Sequence, residues 1–502
     1  MSSSTRALVR AAACAGAALA FTLPAWSELA AQEPVDRATI DRIVEEGTTR
    51  SQVLSLFRTL TEDIGPRLTG SPAHRQAADW SRERLEAWGL GDPRLEAFDF
   101  GRGWTLEGLV LEMTAPRYFP LSGYPEAWTP STDGVLEGPP VYVGDLTEDQ
   151  LRARAGEIRG RVVLATPPQP AFIREDRPQP TEQDDPVAIG APRTIRPGGP
   201  VGRRARPRLL AELGAGAALV PSQGAHGTIF VLGNRNTPDD AAPTVVLEGE
   251  HYNRLVRMVQ DGLPVRVRVG VDVRYHEEDP SSYNVLAEIP GSDPDIGGEV
   301  VMVGAHLDSW HSATAATDNA DGAAAVLEAA RILSALGVRP RRTIRFALWG
   351  GEEEGLLGSR AWVERHLAGP ENREARDRFS VYFNQDIGGG GIYGVYLQGN
   401  EAATPILDAW VEALRDVGTR RNVHASIGSS DHMSFEALGL PGFSTVQDYT
   451  DYDTRTHHTN QDFYERLTEE GLRRSAVVLA SLLYQAAERD RRFPRKPAAG
   501  GG

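Results

Sequence analysis

The chain has 502 residues, of which 40% are hydrophobic and 24% are charged, and its formal net charge at pH 7 is −16. This composition is typical of a soluble globular protein, and the length is sufficient for two or three domains of roughly 100–200 residues each. A chain this acidic lacks the basic face that nucleic acids and anionic membrane surfaces require, so the sequence argues against both as partners.

The N-terminal segment, 1–31, is predicted to be a secretory signal peptide. Arg6 and Arg10 precede an apolar run of small residues, 11–23, which is shorter than the ~20 residues of a membrane span. We therefore expect a secreted or periplasmic protein without an integral membrane span, with an uncleaved anchor as the alternative. The single cysteine, Cys14, lies in this segment, so the mature chain is expected to hold no disulfide and no thiolate metal ligand.

The next segment, 32–130, is predicted to mix helices with extended chain. Apolar residues recur at helical spacing over 35–62, and a second helix is predicted over 73–88, ahead of Gly89. Residues 94–114 alternate in the manner typical of a β-strand. We expect this segment to form the N-terminal part of the main domain.

Two further segments differ in their pattern. Residues 131–278 are predicted to be an inserted, mostly-β domain, which contains a loop rich in Pro, Asp and Arg over 167–207. From 279 to 490, strands and helices alternate, which predicts an α/β domain with a mixed, mostly parallel sheet and helices on both faces. The last stretch, 491–502, is basic and then glycine-rich, and is predicted to be a flexible tail.

Polar side chains follow several predicted strands of this α/β segment and its later loops. The candidates combine imidazole nitrogens with carboxylate oxygens: His306, Asp308, Asp318, Glu352, Glu353, Glu354, Asp386 and His458. Singly, each has an ordinary structural explanation, such as a helix cap for Asp318 or a solvated face for the three glutamates. Together they place much negative charge at the carboxyl edge of a sheet, which is costly unless a cation is present. Since these are ligands that divalent metals bind, the pattern predicts a metal site.

Six motifs within 280–485 carry a family resemblance, and they occur in the family's order. They are Gly304-Ala-His-Leu-Asp-Ser, Thr317-Asp-Asn-Ala-Asp-Gly, Leu348-Trp-Gly-Gly-Glu-Glu-Glu-Gly, Phe383-Asn-Gln-Asp, Ser430-Asp-His-Met-Ser-Phe and His458-Thr-Asn-Gln-Asp. This set resembles the di-zinc exopeptidases related to bacterial leucyl aminopeptidase and carboxypeptidase Q. Gly65-Pro-Arg-Leu-Thr-Gly-Ser-Pro is similar to the N-terminal part of the carboxypeptidase Q branch. Residues 156–164 and 213–220 are similar to the protease-associated domain inserted in many of these enzymes.

The resemblance implies a five-ligand site for two zinc ions. His306 and Asp386 would bind one ion, Glu353 and His458 would bind the other, and Asp318 would bridge them. The resemblance also implies a cis peptide bond between Asp318 and its neighbour Asn319.

Further roles follow from the same resemblance. Asp308 would orient His306, and Glu352 would act as the general base toward a water bridged by the metals. Glu354 would then face elsewhere, as a structural or solvated residue. We hypothesise that His457 hydrogen-bonds the oxyanion, with a solvated or supporting histidine as the alternative.

One pair from the Ser430 motif, Asp431 and His432, is expected to pack behind the site rather than bind metal.

The implied function is a secreted zinc-dependent exopeptidase that acts on terminal bonds of short peptides, as an aminopeptidase or dipeptidase. A carboxypeptidase of the carboxypeptidase Q type is the alternative, since arginines within Arg193–Arg208 could neutralise a C-terminal carboxylate. A glutaminyl cyclase would use one zinc ion, and a receptor-like relative would lack ligands, so both fit less well. The sequence leaves a homodimer open.

Overall fold

The computed structural model describes residues 33–180 and 206–496. The predicted signal peptide, 1–31, and most of the loop predicted over 167–207 therefore lie outside the described residues. Within the two described ranges, no helix is both long enough and apolar enough to cross a bilayer.

The strands and helices are numbered here in chain order. The strands are β1 Gly91–Asp99, β2 Gly103–Ala115, β3 Phe119–Pro120, β4 Gly123–Pro125, β5 Leu136–Gly138, β6 Val141–Tyr142, β7 Val162–Leu164, β8 Ala217–Pro221, β9 Thr244–Leu247, β10 Arg266–His276, β11 Ser281–Ile289, β12 Val300–His306, β13 Thr343–Trp349, β14 Phe379–Asn384, β15 Gly389–Val395 and β16 Gly442–Asp448. The helices are α1 Arg37–Thr49, α2 Val53–Arg58, α3 Pro72–Ala87, α4 Glu148–Ala153, α5 Ala155–Ile158, α6 Pro207–Glu212, α7 Gly249–Gln260, α8 Asp321–Ala335, α9 Leu357–His366, α10 Arg373–Arg378, α11 Thr404–Ala413, α12 His432–Glu436 and α13 Glu469–Glu488.

The main domain is built on a seven-stranded sheet in the order β1-β11-β13-β12-β14-β16-β15. The four strands β13, β12, β14 and β16 are parallel to one another, and antiparallel strands complete the sheet on both sides. Strand β12, Val-Val-Met-Val-Gly-Ala-His, is buried along nearly its whole length, as expected for a strand with both faces covered. The mixed α/β fold predicted from the sequence is confirmed.

Helices cover both faces of this sheet. On one face α8 and α13 pack against each other and against the parallel strands. Helix α8, Asp-Gly-Ala-Ala-Ala-Val-Leu-Glu-Ala-Ala-Arg, is rich in alanine, which favours the helix and permits this close approach. On the other face Trp362 of α9 and Phe435 of α12 pack on Trp349 and Tyr382 of the sheet.

Two smaller sheets form the part of the chain between 103 and 276. One has the order β4-β9-β8-β7-β6 and the other β3-β2-β10-β5. Strands β5 to β10 fall in the segment predicted as a mostly-β insert, 131–278, and α4 to α7 lie among them. Strands β2, β3 and β4 precede position 131 but pair within these same two sheets, so the β structure extends further toward the N-terminus than the predicted insert.

The C-terminal stretch packs on the main domain at Phe493. Its side chain is 4% exposed, and its ring contacts Phe383, Trp410 and Phe443. The prediction of a flexible tail over 491–502 is therefore wrong at this position, because burial of a large aromatic ring stabilises the packed conformation. Residues 497–502 lie outside the described residues.

Candidate metal centre

Loops at the carboxyl edge of the parallel strands bring the five predicted ligands together. His306 is the last residue of β12, Glu353 follows β13, and Asp386 follows β14. His458 lies in the loop after β16, and Asp318 lies just before α8. Ligand sites at the carboxyl ends of parallel strands are expected for open α/β sheets.

Asp318 lies between two groups of side chains, and each of its oxygens faces one of them. Its Oδ1 lies 3.1 Å from Nε2 of His306, and that nitrogen lies 3.2 Å from Oδ1 of Asp386. Its Oδ2 lies 3.3 Å from Nε2 of His458, which lies 2.9 Å from Oε2 of Glu353. The peptide bond between Asp318 and Asn319 is cis, as the resemblance implied.

These separations suit metal binding. Ligand atoms at about 2.0–2.1 Å around a tetrahedral zinc ion lie roughly 3.3 Å apart, close to the distances that Asp318 makes. Oδ2 of Asp318 and Oε1 of Glu353 are buried atoms without a hydrogen-bond partner in the described structure. A buried carboxylate oxygen without a partner is costly, and a cation between the groups would satisfy it. Each group offers the nitrogen and oxygen donors that zinc and similar ions bind.

The electrostatics of the two histidines reflect the surrounding carboxylates. Burial alone would lower the pKa of His306, but the neighbouring carboxylates, Asp386 first among them, outweigh burial and raise it well above its usual value. Burial would likewise lower the pKa of His458, but Glu353 and Asp318 raise it to about 9. The neighbouring carboxylates therefore favour the protonated form of both imidazoles. A bound metal must displace those protons.

The three successive glutamates occupy different environments. Burial, and then the carboxylate of Asp386, raises the pKa of Glu352 well above its usual range. Burial and the neighbouring Asp318 raise the pKa of Glu353 to about 7. Both carboxylate oxygens of Glu354 are buried, and neither has a hydrogen-bond partner among the described residues. Burial and the nearby carboxylate of Asp308 raise the pKa of Glu354 well above its usual range. Glu354 is thus a buried structural residue rather than a solvated one.

Asp308 was expected to orient His306, and it also contacts the loop that carries Glu352 and Glu353. Nδ1 of His306 lies 3.0 Å from the backbone oxygen of Asp308, whereas the carboxylate lies at 3.7 Å. The carboxylate instead accepts hydrogen bonds from the backbone N–H groups of Glu352 and Glu353, both at 3.2 Å, and from the hydroxyl of Thr69 at 2.9 Å. The main chain of Asp308 therefore orients the histidine, and its side chain fixes the glutamate loop.

Sequence reasoning missed two residues that fix the loop carrying Asp318. The carboxylate of Asp462 accepts hydrogen bonds from the backbone N–H groups of Thr317, at 2.9 Å, and Asp318, at 3.1 Å. The guanidinium of Arg67 is fully buried and donates to backbone oxygens on both sides of the site, including those of Leu307 and Ala315. Arg67 lies in the Gly65-Pro-Arg motif and Asp462 ends the His458-Thr-Asn-Gln-Asp motif, so their place in these motifs could have marked them as site residues.

The remaining predicted site residues lie close to this centre. His457 lies beside His458, with ring centroids 3.8 Å apart, and its ligand atom falls within 4.8 Å of those of Asp318 and His458. Asp431 is fully buried, and burial raises its pKa to about 7. His432 lies 2.9 Å from the backbone oxygen of Ile427 through its Nε2.

Comparison with known proteins places this geometry in a family. Residues 284–483, which include the five predicted ligands, match the model of peptidase family M28. Residues 284–483 thus match peptidase family M28 as a domain. The chain is a metallo-exopeptidase, and the resemblance recognised in the motifs is confirmed.

Similar proteins extend beyond the M28 domain. Human carboxypeptidase Q is 25% identical over 474 residues, which cover 93% of this chain and 92% of that protein. A peptidase M28 precursor from Shewanella amazonensis SB2B shares the fold with a TM-score of 0.67 at 24% identity, covering 92% of this chain and 99% of that one. BSAP, a zinc aminopeptidase from Bacillus subtilis, has a TM-score of 0.57 at 20% identity, covering 88% and 95%. The likeness therefore includes the smaller sheets as well as the main domain.

Proposed function

We propose that this M28 peptidase is an exported exopeptidase that uses two zinc ions to hydrolyse a terminal bond of short peptides. The observation that carries the proposal is the position of Asp318, whose two oxygens face two separate groups of nitrogen and oxygen donors. His306 and Asp386 would hold one ion, and Glu353 and His458 the other. Export is proposed because the first 31 residues have the pattern of a signal peptide.

The reaction assigns a separate task to Glu352. Zinc ions held by these residues would supply Lewis acidity toward a water molecule and the scissile carbonyl. Glu352 takes the proton of the attacking water as its oxygen bonds to the carbonyl carbon. As the bond between carbon and nitrogen breaks, the same carboxyl group delivers that proton to the leaving amine. Burial and the nearby carboxylate of Asp386 raise the pKa of Glu352, which favours retention of the proton between these two steps.

The described residues that line the cavity beside the metal centre offer no guanidinium or ammonium group to a C-terminal carboxylate. The ionisable residues that line the cavity beside the centre are Asp318, Glu353, Asp462 and His458. Among the described residues that line this cavity, none is a lysine or an arginine. Bound zinc ions would offset the charge of Asp318 and Glu353, but the described lining lacks the arginine or lysine that pairs with a carboxylate. We therefore propose an aminopeptidase or a dipeptidase.

A carboxypeptidase remains the second candidate, and a specific observation favours it. The similarity to human carboxypeptidase Q spans 93% of this chain rather than the M28 domain alone. The arginines proposed from the sequence to bind a C-terminal carboxylate, within Arg193–Arg208, lie mostly outside the described residues.

A substrate panel combined with metal analysis tests the proposal. We expect two zinc ions per chain and hydrolysis of aminoacyl anilides or unblocked dipeptides. Cleavage of N-acylated peptides with a free C-terminus, and not of the anilides, would instead establish the carboxypeptidase. A zinc-loaded protein that cleaves none of these substrates would contradict the exopeptidase proposal.

Replacing His457 with alanine is expected to lower kcat by about 100-fold, because loss of one oxyanion donor typically costs 10²–10³. His457 also lies between the rings of Tyr452 and His458, so zinc content separates two roles: a lower kcat with unchanged zinc content and KM indicates action on the oxyanion. Steady-state kinetics on the preferred substrate, with zinc measured on the same sample, checks both. An unchanged kcat would exclude this role for His457.

A further inference from the structure

The loop that carries His458 is contacted by the chain between 131 and 278, and one contact reaches close to the metal centre. This loop runs from the end of β16 at Asp448 to Asn460. A short segment of the smaller β region, residues 176–179, lies against it and is called the strap here. The strap is anchored to its own region at Ile173, whose backbone N–H donates to the backbone oxygen of Gln223 at 2.8 Å.

The strongest contact joins Arg177 of the strap to Asp453 of the loop. The guanidinium donates to both carboxylate oxygens, through Nε at 2.9 Å and Nη2 at 2.8 Å, and the backbone N–H of Arg177 adds a third bond at 2.8 Å. The side chain of Asp453 is 0% exposed, and that of Arg177 is 22% exposed. A bidentate pair with this much burial fixes direction as well as position.

Two neighbours in the strap hold the backbone of the same loop. The carboxylate of Asp176 accepts hydrogen bonds from the backbone N–H groups of Asp451, at 2.9 Å, and Thr454, at 2.8 Å. The amide oxygen of Gln179 accepts from the backbone N–H of Tyr449 at 3.1 Å. The strap therefore holds the loop at, and just ahead of, its π-helical turn Tyr452–Thr456.

Three neighbouring aromatic rings lie between Arg177 and the metal centre. The guanidinium lies 5.9 Å from the ring centroid of Tyr452. The ring of Tyr452 stacks on His457 at 5.0 Å with an interplanar angle of 17°. The rings of His457 and His458 lie 3.8 Å apart. A displacement of the strap would therefore move the ring that faces Asp318 and Glu353.

The backbone of the loop requires such support. His458 has φ +61° and Asp451 has φ +61°, in the left-handed region that residues other than glycine seldom adopt. A ligand held in this conformation keeps it only where surrounding contacts specify it. The smaller β region also contacts the loop at His458 and after it. The backbone N–H of Val231 donates to the His458 oxygen at 3.2 Å, and the backbone N–H of Asn460 donates to the Ile229 oxygen at 3.2 Å.

We propose that Arg177 is a positioning residue for the zinc ion that Glu353 and His458 would bind. Through Asp453, it holds the His458 loop in the conformation that points the imidazole at this ion. The inference rests on the proposed function, since it takes His458 to be a zinc ligand. The affinity for this ion would then depend on the strap, which lies outside the M28 domain.

The test compares zinc binding by the metal-free wild type and by Arg177→Ala, titrated against a chromogenic chelator that resolves two constants. Partners that orient a ligand are typically worth about 10–100-fold in metal affinity, and we expect that loss at one of the two sites only. Guanidinium ion at a concentration that does not denature the protein should restore part of the affinity. Arg152→Ala is the matched control, because this arginine of the same region forms an exposed pair with Glu212.

The outcomes separate this inference from the proposed function. A wild type that binds fewer than two zinc ions overturns the two-ion proposal, and the inference with it. A wild type that binds two ions, with an Arg177→Ala variant whose two constants are unchanged or weakened equally, overturns the inference alone. If Arg177→Ala does not fold, Arg177→Lys decides. It keeps the charge but loses the bidentate fork, so an unchanged affinity in that variant also overturns the inference.

Discussion

Replacing Glu352 with glutamine is expected to leave the zinc content unchanged and to lower kcat by about 10²–10⁴-fold, the usual contribution of a general base. Glutamine keeps the size of the side chain but cannot accept the proton of the attacking water. The amide should fit where the carboxyl group lies, since burial raises the pKa of Glu352 and so disfavours a charged group at this position. Zinc analysis and steady-state kinetics on one preparation measure both effects.

The control for this variant is Glu364→Gln, which removes the same charge from an exposed position of α9. We expect wild-type kinetics from it. Substantial turnover by Glu352→Gln with both zinc ions bound would mean that another group takes the proton. A loss of zinc in that variant would instead indicate that Glu352 contributes to the metal ligands.

The parallel strands of the sheet could be predicted because burial on both faces leaves a simple pattern. Apolar runs over 300–305, 344–349 and 379–386 predict three strands, and the bounds of β12, β13 and β14 differ from these by at most two residues. Strand β16, Gly-Phe-Ser-Thr-Val-Gln-Asp, was not expected, because it is polar and yet largely buried. Its Gln447 donates to Asp321 at 3.1 Å, a contact between distant parts of the chain that no local pattern reports.

The alternation of apolar and polar residues also predicted one strand where the structure has two. The run predicted over 94–114 is two strands, β1 and β2, which belong to different sheets. Between them Gly101 has φ +113°, a turn conformation open to glycine. The glycines of Gly101-Arg-Gly were visible in the sequence, so this division could have been found.

The proposed ligand set could be chosen from the sequence because each of its residues lies in a short local motif, whereas the contacts that support these residues could not be predicted. Thr69 and Asp308 are separated by 239 positions, and their hydrogen bond depends on how the N-terminal loop packs over the sheet edge. The support that Asp462 gives to Asp318 spans 144 positions. Candidate ligands that follow strand ends can be recognised from short stretches of sequence. Their orientation depends on contacts between distant positions, which a short stretch does not report.

Replacing Asp318 with alanine is expected to weaken zinc binding at both sites, each by more than about 100-fold. The reason is that a partner outside the ligand set is already worth about 10–100-fold, and Asp318 is proposed as a ligand to both ions. Activity should fall at least as far as in Glu352→Gln. Zinc per chain, measured after dialysis against a weak chelator, and the two binding constants check the prediction.

The informative comparison is with Asp386→Ala, which removes a ligand from only one of the two groups. That variant should keep close to one zinc ion per chain, whereas Asp318→Ala should keep neither at the same chelator strength. The difference follows from position: Oδ1 of Asp386 lies 3.2 Å from His306, while the two oxygens of Asp318 reach His306 and His458 separately. Two divalent ions this close repel each other strongly, and a carboxylate between them offsets that repulsion. If one site in Asp318→Ala retained wild-type affinity, Asp318 would be a ligand to a single ion, and the bridged centre would be wrong.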